Sequence, residues 1–321
     1  MTGNAVVEDF PRLADPYRRE LLAHCYRMVG SVHDAEDLVQ ETYLRAWRSF
    51  DKFEQRSSLR TWLYQIATRV CLTALEGRDR RPMPTGLGGP RCDPAADLES
   101  PPEISWLEPL PDTMVDSDPA AIVTARESLR LALAAALQHL PARQRAVLVL
   151  RDVLKWRAAE VAESLEVSVA AVNSMLQRAR AQLEQVAPQE DQVIEQREQR
   201  RLLDRYVSAF EAKDVAAIVE LFTKDAVWEM PPFTAWYQGR ADIARHLRDR
   251  CPAEPDGLRL VPVRANGQPG FATYMRDESG EFRAFNIQVL TIGPEGVSHA
   301  ATFLDTRLFA AFGLPEALTG V

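Results

Sequence analysis

The 321-residue sequence has few cysteines and no long apolar run, and these absences exclude several classes of protein. Its four cysteines, Cys25, Cys71, Cys92 and Cys251, form no Cys-x-x-Cys pair, which argues against a zinc site and against a disulfide framework. No apolar stretch approaches the about 20 residues of a membrane span. The segment Met1–Asp9 lacks the basic and apolar parts of a secretory signal. We therefore expect a cytoplasmic protein with reduced thiols, no metal, no cofactor and no membrane contact.

The chain also lacks the positive net charge that is usual in a DNA-binding protein, since its formal charge is −8. The charge is unevenly distributed, however. Residues 12–81 hold 13 basic against 10 acidic side chains, and residues 121–187 hold 9 against 6. Residues 82–119 have one arginine and eight acids, and 190–321 is acidic as well. Mildly basic segments bind DNA feebly alone because affinity depends on the number of phosphates neutralised, so we expect a large partner to hold the protein on DNA.

Proline and glycine divide the chain into parts. Nine prolines and three glycines lie in 82–119, and proline blocks helix interiors and strand ladders, so this segment is predicted to be a linker. The flanking segments have helical periodicity, and after Pro188 two helices precede short alternating strands. We predict a multidomain protein with two all-α domains at 12–81 and 121–187, a linker at 82–120 and an α+β domain at 190–321.

The first all-α segment contains two helices with distinct faces. Ser31 and Asp34 have the spacing of a helix cap and open a long helix. Its apolar stripe is predicted to face the core and comprises Leu38, Val39, Thr42, Ala46, Trp47 and Phe50. Its charged stripe, which is either a solvated face or a binding surface, comprises Asp34, Asp37, Glu41, Arg45 and Arg48.

The second helix of this segment is predicted from Ser58 to Glu76. One of its faces interleaves basic, aromatic and polar side chains, namely Arg60, Tyr64, Gln65, Thr68 and Arg69. Such a face suits single-stranded DNA, because aromatic rings stack on bases and arginine pairs with phosphates. Trp62 either packs in the core or contributes to the same surface.

The second all-α segment has the length pattern of a helix-turn-helix. Leu140-Pro141 starts one helix, and Arg157–Leu165 is followed by a three-residue turn and a helix from Val169 to about Leu183. The last helix has a predicted core stripe of Val172, Leu176, Ala179 and Leu183. Its outward positions, where small and amide side chains approach base edges, are Ala170, Asn173, Ser174, Gln177, Arg178 and Ala181. Arg178 and Arg180 are predicted to hold phosphates.

Four strings in these segments resemble conserved regions 2 and 4 of the sigma-70 family. Region 2 is resembled by His33–Thr42 with Arg45–Trp47 and by Ser58–Ala67, and region 4 by Leu140–Arg145 and Gln177–Arg180. The absence of further sigma domains is typical of the extracytoplasmic-function (ECF) group. The resemblance implies an alternative sigma factor, not an enzyme, whose partners are core RNA polymerase (its β′ and β subunits) and promoter DNA.

The resemblance also implies roles for individual residues. Polymerase contacts would come from Asp34, Glu36, Asp37, Gln40 and Glu41. Capture of the −10 element would use Gln55, Arg56, Ser57, Ser58, Arg60, Trp62, Gln65 and Arg69. Reading of the −35 element would use Ser168, Ala170, Asn173, Ser174, Gln177, Arg178 and Arg180. The recognition helix has Ala170–Met175 where the family usually has Gly-Thr-Val-Lys-Ser-Arg, and the loss of two basic residues predicts weaker phosphate anchoring.

The C-terminal segment, 197–321, resembles a SnoaL-like domain of the NTF2-like superfamily, an α+β cone around a pocket. Possible pocket residues are Trp228, Tyr237, Arg283, His299 and Asp305, and the candidates for acid–base chemistry are Asp225, Glu229, His299 and Asp305. The alternatives for this domain are regulation or sensing of an unknown small ligand, an isomerase- or cyclase-type pocket enzyme, or a scaffold. For the whole chain the alternative is a one-component repressor, against which the region 2 strings argue.

Overall fold

The computed structural model describes residues 10–55, 57–115, 129–186 and 194–318. The chain divides into two compact units, of which the first comprises Met1–Arg81 and Leu107–Pro188 and the second comprises Pro82–Trp106 and Gln189–Val321. The proline-rich linker is therefore shared between the units instead of standing apart from both. No helix in the described part of the chain is long and apolar enough to cross a membrane.

The first unit is all-α, as predicted. The helix at Ala142–Leu148 continues directly into a π-helical turn at Val149–Val153. The helices of this unit are α1 Phe10–Ala14, α2 Arg18–Val29, α3 Val32–Ser49, α4 Leu59–Ala74, α5 Leu131–Gln138, α6 Ala142–Leu148, α7 Ala158–Leu165 and α8 Val169–Val186.

The predicted helix starts in this unit are confirmed. Ser31 Oγ accepts a hydrogen bond from the Asp34 amide at 3.1 Å, and Ser58 Oγ accepts one from the Thr61 amide at 3.1 Å. Each bond satisfies an amide that the first turn of a helix leaves unpaired. Val172, Leu176 and Ala179 of α8 are buried, as their spacing predicts.

Two predictions about side-chain direction are wrong. Trp47 was expected in the core stripe of α3 but is 48% exposed, because Ala46 and Phe50 take the inward positions. Tyr64 and Thr68 were expected on an outer face of α4 but are buried. Helix α4 packs on α2 and also on the second helical segment. Because it has neighbours on more than one side, fewer of its side chains remain exposed.

The second unit contains the predicted α+β cone. The strands are β1 Phe222–Glu229, β2 Trp236–Gln238, β3 Leu258–Ala265, β4 Gln268–Arg276, β5 Phe282–Gly293, β6 Gly296–Phe303 and β7 Ala317–Leu318, and the helices are α9 Gln196–Glu211, α10 Val215–Glu220, α11 Arg240–Asp249 and α12 Leu308–Ala311. The sheet has the order β2-β1-β6-β5-β4-β3, with β7 paired to β5; β1 and β6 are parallel and the other pairs are antiparallel.

The core of this unit lies between the helices and the sheet. Tyr206 of α9 stacks on Phe271 of β4 at 5.5 Å between ring centroids and on Phe210 at 4.4 Å. The Tyr206 hydroxyl donates to Gln288 Oε1 at 2.8 Å, so the polar end of this buried ring is satisfied. Helix α11 packs on β1 and β2.

Candidate functional site

The exposed face of α3 carries only part of the predicted polymerase-binding set. Asp37 and Gln40 are exposed, and Leu44 and Trp47, each 48% exposed, continue the same face at steps of three and four residues. The other three predicted residues are engaged in ion pairs: Asp34 with Arg78 (3.0 Å) and Arg81 (2.8 Å), Glu36 with Arg18 (3.4 Å), and Glu41 with Arg45 (2.6 Å).

The predicted −10 surface follows one side of α4. Ser58, Trp62, Gln65 and Arg69 are spaced by four, three and four residues, and each is exposed or half-buried. Trp62 stacks on Phe53 at 4.8 Å, so the ring is braced on one side and half-buried.

The remaining members of this set are placed less uniformly. Gln55 is exposed, Ser57 is half-buried, and Arg56 lies outside the described residues. Arg60 is paired with Glu20, with Nη2 2.7 Å from Oε2, and lies over the Tyr64 ring. Arg69 is paired with Glu166, the residue that ends α7, at 3.0 Å. Part of this basic surface is thus neutralised by the protein's own carboxylates.

The predicted −35 set forms one face of α8. All seven residues are exposed, and Ser168 Oγ accepts a hydrogen bond from the Ala171 amide at 3.1 Å, which caps the helix start. Arg178 donates to Ser174 Oγ at 2.9 Å, and Arg180 is paired with Asp152 at 2.6 Å. A face of small and amide side chains with one arginine at each side suits the major groove.

Arg145 of α6 connects the two helical segments. Its side chain is 4% exposed and donates to the backbone carbonyl of Met28 at the end of α2, and also to Gln138 Oε1 (2.8 Å) and the Leu140 carbonyl (3.0 Å). Burial lowers the pKa of Arg145 to about 10, so the guanidinium stays charged at neutral pH. Charge-assisted bonds to carbonyls hold the segments together.

The end of the linker, from Leu107, packs on the first helical segment. The Glu108 amide donates to the Gly30 carbonyl at 3.0 Å, and its carboxylate accepts from Ser31 Oγ at 2.7 Å. Leu107 and Leu110 are fully buried. Gly30 has φ +71, and a Cβ there would lie 2.8 Å from Leu107 Cδ1, so only glycine allows this close approach.

The earlier part of the linker is held by the C-terminal domain through Glu229. The Thr85 amide donates to Glu229 Oε2 at 3.0 Å, and His299 Nε2 lies 2.7 Å from Glu229 Oε1. Burial alone would raise the pKa of Glu229, but the bonds from His299 and Thr85 outweigh it and lower that pKa. Glu229 and His299, predicted as acid–base candidates, therefore anchor the linker.

Three further contacts fix the linker to this domain. The Cys92 amide donates to the Trp236 carbonyl at 3.0 Å, and the Thr234 amide donates to the Glu99 carbonyl at 2.9 Å. Arg250 of α11 donates to the carbonyls of Ala95 and Ala96, the latter at 3.0 Å. Residues 82–106 of the proline-rich segment are thus an ordered part of the second unit and not a free spacer.

A cavity of about 250 Å³ lies in the C-terminal domain. Its wall is largely apolar and aromatic, and among the described residues it contains one arginine, Arg250, and no carboxylate. Its lining residues are Leu98, Phe210, Trp228, Met230, Phe233, His246, Leu247, Arg250, Cys251, Pro252, Leu258, Thr273, Phe285, Asn286, Gln288, Thr302 and Leu304.

Of the five predicted pocket residues, only Trp228 lines this cavity. Tyr237 stacks on His246 from outside the lining, at 4.6 Å between centroids. Arg283 is paired with Asp277 (2.7 Å) and Glu281, and Asp305 with Arg307 (2.6 Å). The polar lining residues of β4, β5 and β6 were missed, because alternation along a strand does not show which side faces a cavity.

Family models and relatives cover nearly the whole chain. A model described as Sigma-70 region 2 matches residues 13–81, Sigma-70, region 4 matches 130–183, and SnoaL-like domain matches 203–300. The chain is 56% identical over 316 residues to the ECF RNA polymerase sigma factor SigG of Mycobacterium tuberculosis. The matched region covers 97% of this chain and 85% of that protein.

A second relative is similar in sequence and in fold. The ECF RNA polymerase sigma factor SigJ of Mycobacterium tuberculosis is 32% identical over 233 residues, 71% of this chain and 65% of that protein. The crystal structure of SigJ superposes with a TM-score of 0.61 at 23% identity and covers 95% of this chain and 99% of that one. That match shows a common fold.

Proposed function

The chain belongs to the ECF RNA polymerase sigma factors, and we propose that its C-terminal domain regulates promoter engagement in cis by holding the linker between regions 2 and 4. As a sigma factor it binds core RNA polymerase and promoter DNA and initiates transcription. Sigma factors are polymerase subunits and not enzymes, so the pocket-enzyme and repressor alternatives are set aside. It acts in the cytoplasm, where the polymerase is.

The polymerase-binding surface is the exposed face of α3. Asp37, Gln40, Leu44 and Trp47 form a continuous strip in which an acid and an amide adjoin two large apolar side chains. Exposed apolar residues in a cluster mark interaction sites, and tryptophan is enriched among the residues that dominate binding energy. Asp34 is two-fold paired with Arg78 and Arg81 and contributes through charge only once those pairs open.

The DNA surfaces are the free side of α4 with the loop before it, and the exposed face of α8. Trp62, braced by Phe53, offers a half-buried ring on which a flipped base stacks. Arg69 is released for phosphate when its pair with Glu166 breaks. Exposed ion pairs of this kind contribute about 0–1 kcal/mol, so DNA phosphates compete readily with Glu166.

Regions 2 and 4 of the first unit have to separate before they can contact both promoter elements. Elements centred at −35 and −10 are about 25 base pairs apart, which is about 85 Å along B-form DNA. A compact unit of about 160 residues has a diameter of about 40 Å. Regions 2 and 4, joined here through Arg145 and Met28, therefore cannot contact both elements without separating.

The observation that carries the regulatory proposal is the anchoring of the linker. This linker is the covalent connection between regions 2 and 4, and its residues 85–99 are bonded to the C-terminal domain by Glu229, Trp236, Thr234 and Arg250. A chain held at several points has less freedom to extend than a free one. The C-terminal domain thus limits how far the two regions separate.

In vitro transcription with core polymerase tests this proposal. Full-length protein is compared with a 1–189 truncation and with Arg250→Ala, which removes the bonds to Ala95 and Ala96. Arg248→Ala, an exposed arginine on the same helix, is the matched control. We expect the truncation and Arg250→Ala to raise initiation and Arg248→Ala to leave it unchanged. Unaltered initiation and unaltered polymerase affinity in the first two proteins would refute cis regulation.

A further inference from the structure

The cavity of the C-terminal domain gathers polar atoms that have no partner. They are Trp228 Nε1, His246 Nδ1, Thr273 Oγ1, Asn286 Oδ1 and Thr302 Oγ1, each on a side chain at most 5% exposed. Within the described residues 194–318, every buried side-chain nitrogen or oxygen that lacks a hydrogen bond belongs to a residue lining this cavity. Folded proteins pair nearly all such groups, so their concentration at one site indicates a missing partner.

The rest of the wall favours a partner that is largely apolar. Phe210, Phe233 and Phe285 supply rings, and Met230 adds a polarizable side chain that adapts to a ligand. Water needs two to four polar partners at each position, and the aromatic part of the wall does not provide them. The volume of about 250 Å³ lies just below the range of about 300–1,000 Å³ for drug-sized ligands, so the occupant is compact.

The charge of the lining favours a neutral occupant. Arg250 already donates to the carbonyls of Ala95 and Ala96, and none of the described residues that line the cavity carries a carboxylate to pair with a cation. His246 is neutral at pH 7, because burial lowers its pKa to about 4 and Arg250 acts in the same direction. A charged ligand would enter this site without full compensation for its lost hydration.

We propose that this cavity binds a compact, neutral aromatic molecule bearing hydroxyl or carbonyl groups, and that its occupancy strengthens the attachment of the linker. This inference rests on the regulatory role proposed above and specifies its ligand. The linker itself forms part of the wall, since Leu98 lines the cavity and Arg250 lines it while bonding to Ala95 and Ala96. A bound molecule packs against both groups and holds residues 95–98 in place.

Calorimetric titration of the full-length protein tests the binding. The probes are 2-naphthol, 4-phenylphenol and 7-hydroxycoumarin, with 2-naphthoate as the anionic counterpart. Thr273→Val with Thr302→Val removes two of the unpartnered hydroxyls at nearly constant volume, and Thr223→Val, a half-buried threonine of β1 outside the lining, is the matched control. Circular dichroism of the double variant confirms that it folds.

We expect saturable binding of at least one neutral probe, about tenfold weaker in the double variant and unchanged in Thr223→Val. We also expect 2-naphthoate to bind at least about tenfold more weakly than 2-naphthol. Absence of saturable binding by all three neutral probes, tighter binding of the anion, or equal affinity in the double variant would overturn the ligand assignment.

Hydrogen exchange separates binding from regulation. With a bound probe, the amides of Cys92–Glu99 are expected to exchange about tenfold more slowly, since opening of the linker must then release the ligand. Binding with unchanged exchange would overturn the coupling to the linker. Cis regulation is tested without any probe by the truncation and Arg250→Ala, so failure of the ligand assignment and failure of the proposed function are distinguishable.

Discussion

The burial of His246 makes the stability of the C-terminal domain depend on pH. This side chain is 5% exposed, stacks on Tyr237, and has a pKa lowered from 6.5 to about 4 by burial and by Arg250. In the unfolded chain His246 is protonated below about pH 6.5, whereas in the folded domain it is protonated only below about pH 4. The contribution to folding is therefore intact above pH 6.5 and declines as the pH falls toward 4. Between pH 7 and pH 5 the expected loss is about 2 kcal/mol, a factor of about 20–30 in the unfolding equilibrium.

Native-state hydrogen exchange of the full-length protein measures this loss. The amides of Val289 and Leu290, two buried residues paired within β5 and β6, are expected to exchange slowly and to report the unfolding free energy of the domain at each pH after correction for intrinsic exchange. His246→Phe keeps a ring against Tyr237 but does not titrate. Any contribution of His299 is present in both proteins and cancels when their losses of unfolding free energy are compared. The wild type should lose about 2 kcal/mol more than the variant between pH 7 and pH 5. An equal loss in both proteins would refute the assignment of the effect to His246.

Three further predictions concern the other contacts. Gly30→Ala places a Cβ 2.8 Å from Leu107 Cδ1, at a residue whose φ is +71. Urea unfolding should show that the first unit loses about 2–4 kcal/mol of stability. A loss below that range would count against the close approach of Leu107. Trp47→Ala, at a 48% exposed position, should lower the affinity for core polymerase about 30-fold without changing thermal stability, and unchanged affinity would exclude the α3 face. Glu229→Gln weakens the charge-assisted bond to the Thr85 amide by about 1 kcal/mol, and faster exchange of that amide, with wild-type exchange in β5, is the expected result.

The local spacing of residues in the sequence was sufficient to predict the starts of several helices, among them α3 and α4. Ser31 caps α3 as its spacing from Asp34 predicts, because a cap depends on a side chain and an amide three residues apart. Ser58, where the sequence predicts the start of α4, caps that helix in the same way. The exposed face of α8 follows from the spacing of Val172, Leu176 and Ala179 for the same local reason. The residue-level roles in polymerase and DNA binding remain predictions.

The parts that sequence reasoning missed depend on contacts between distant segments. Trp47 and Tyr64 were assigned to the wrong sides, since the number of helices packed on α3 and α4 is not encoded in their own periodicity. Four of the five predicted pocket residues lie outside the lining of the cavity for a similar reason. Arg283 and Asp305 form ion pairs with residues a few positions away in the sequence. Thr273, Asn286 and Thr302, in contrast, line the cavity from three separate strands.

The sequence by itself determined the family, the helical regions 2 and 4 and the α+β class of the C-terminal domain, because each depends on short-range spacing or on strings of adjacent residues. Only the tertiary structure decided that the linker belongs to two units, that Glu229 binds the Thr85 amide 144 positions away, and that Arg145 reaches the Met28 carbonyl. The free energy of such contacts depends on burial and on the pairing of polar groups across long stretches of chain. Neither quantity has a local signature in the sequence.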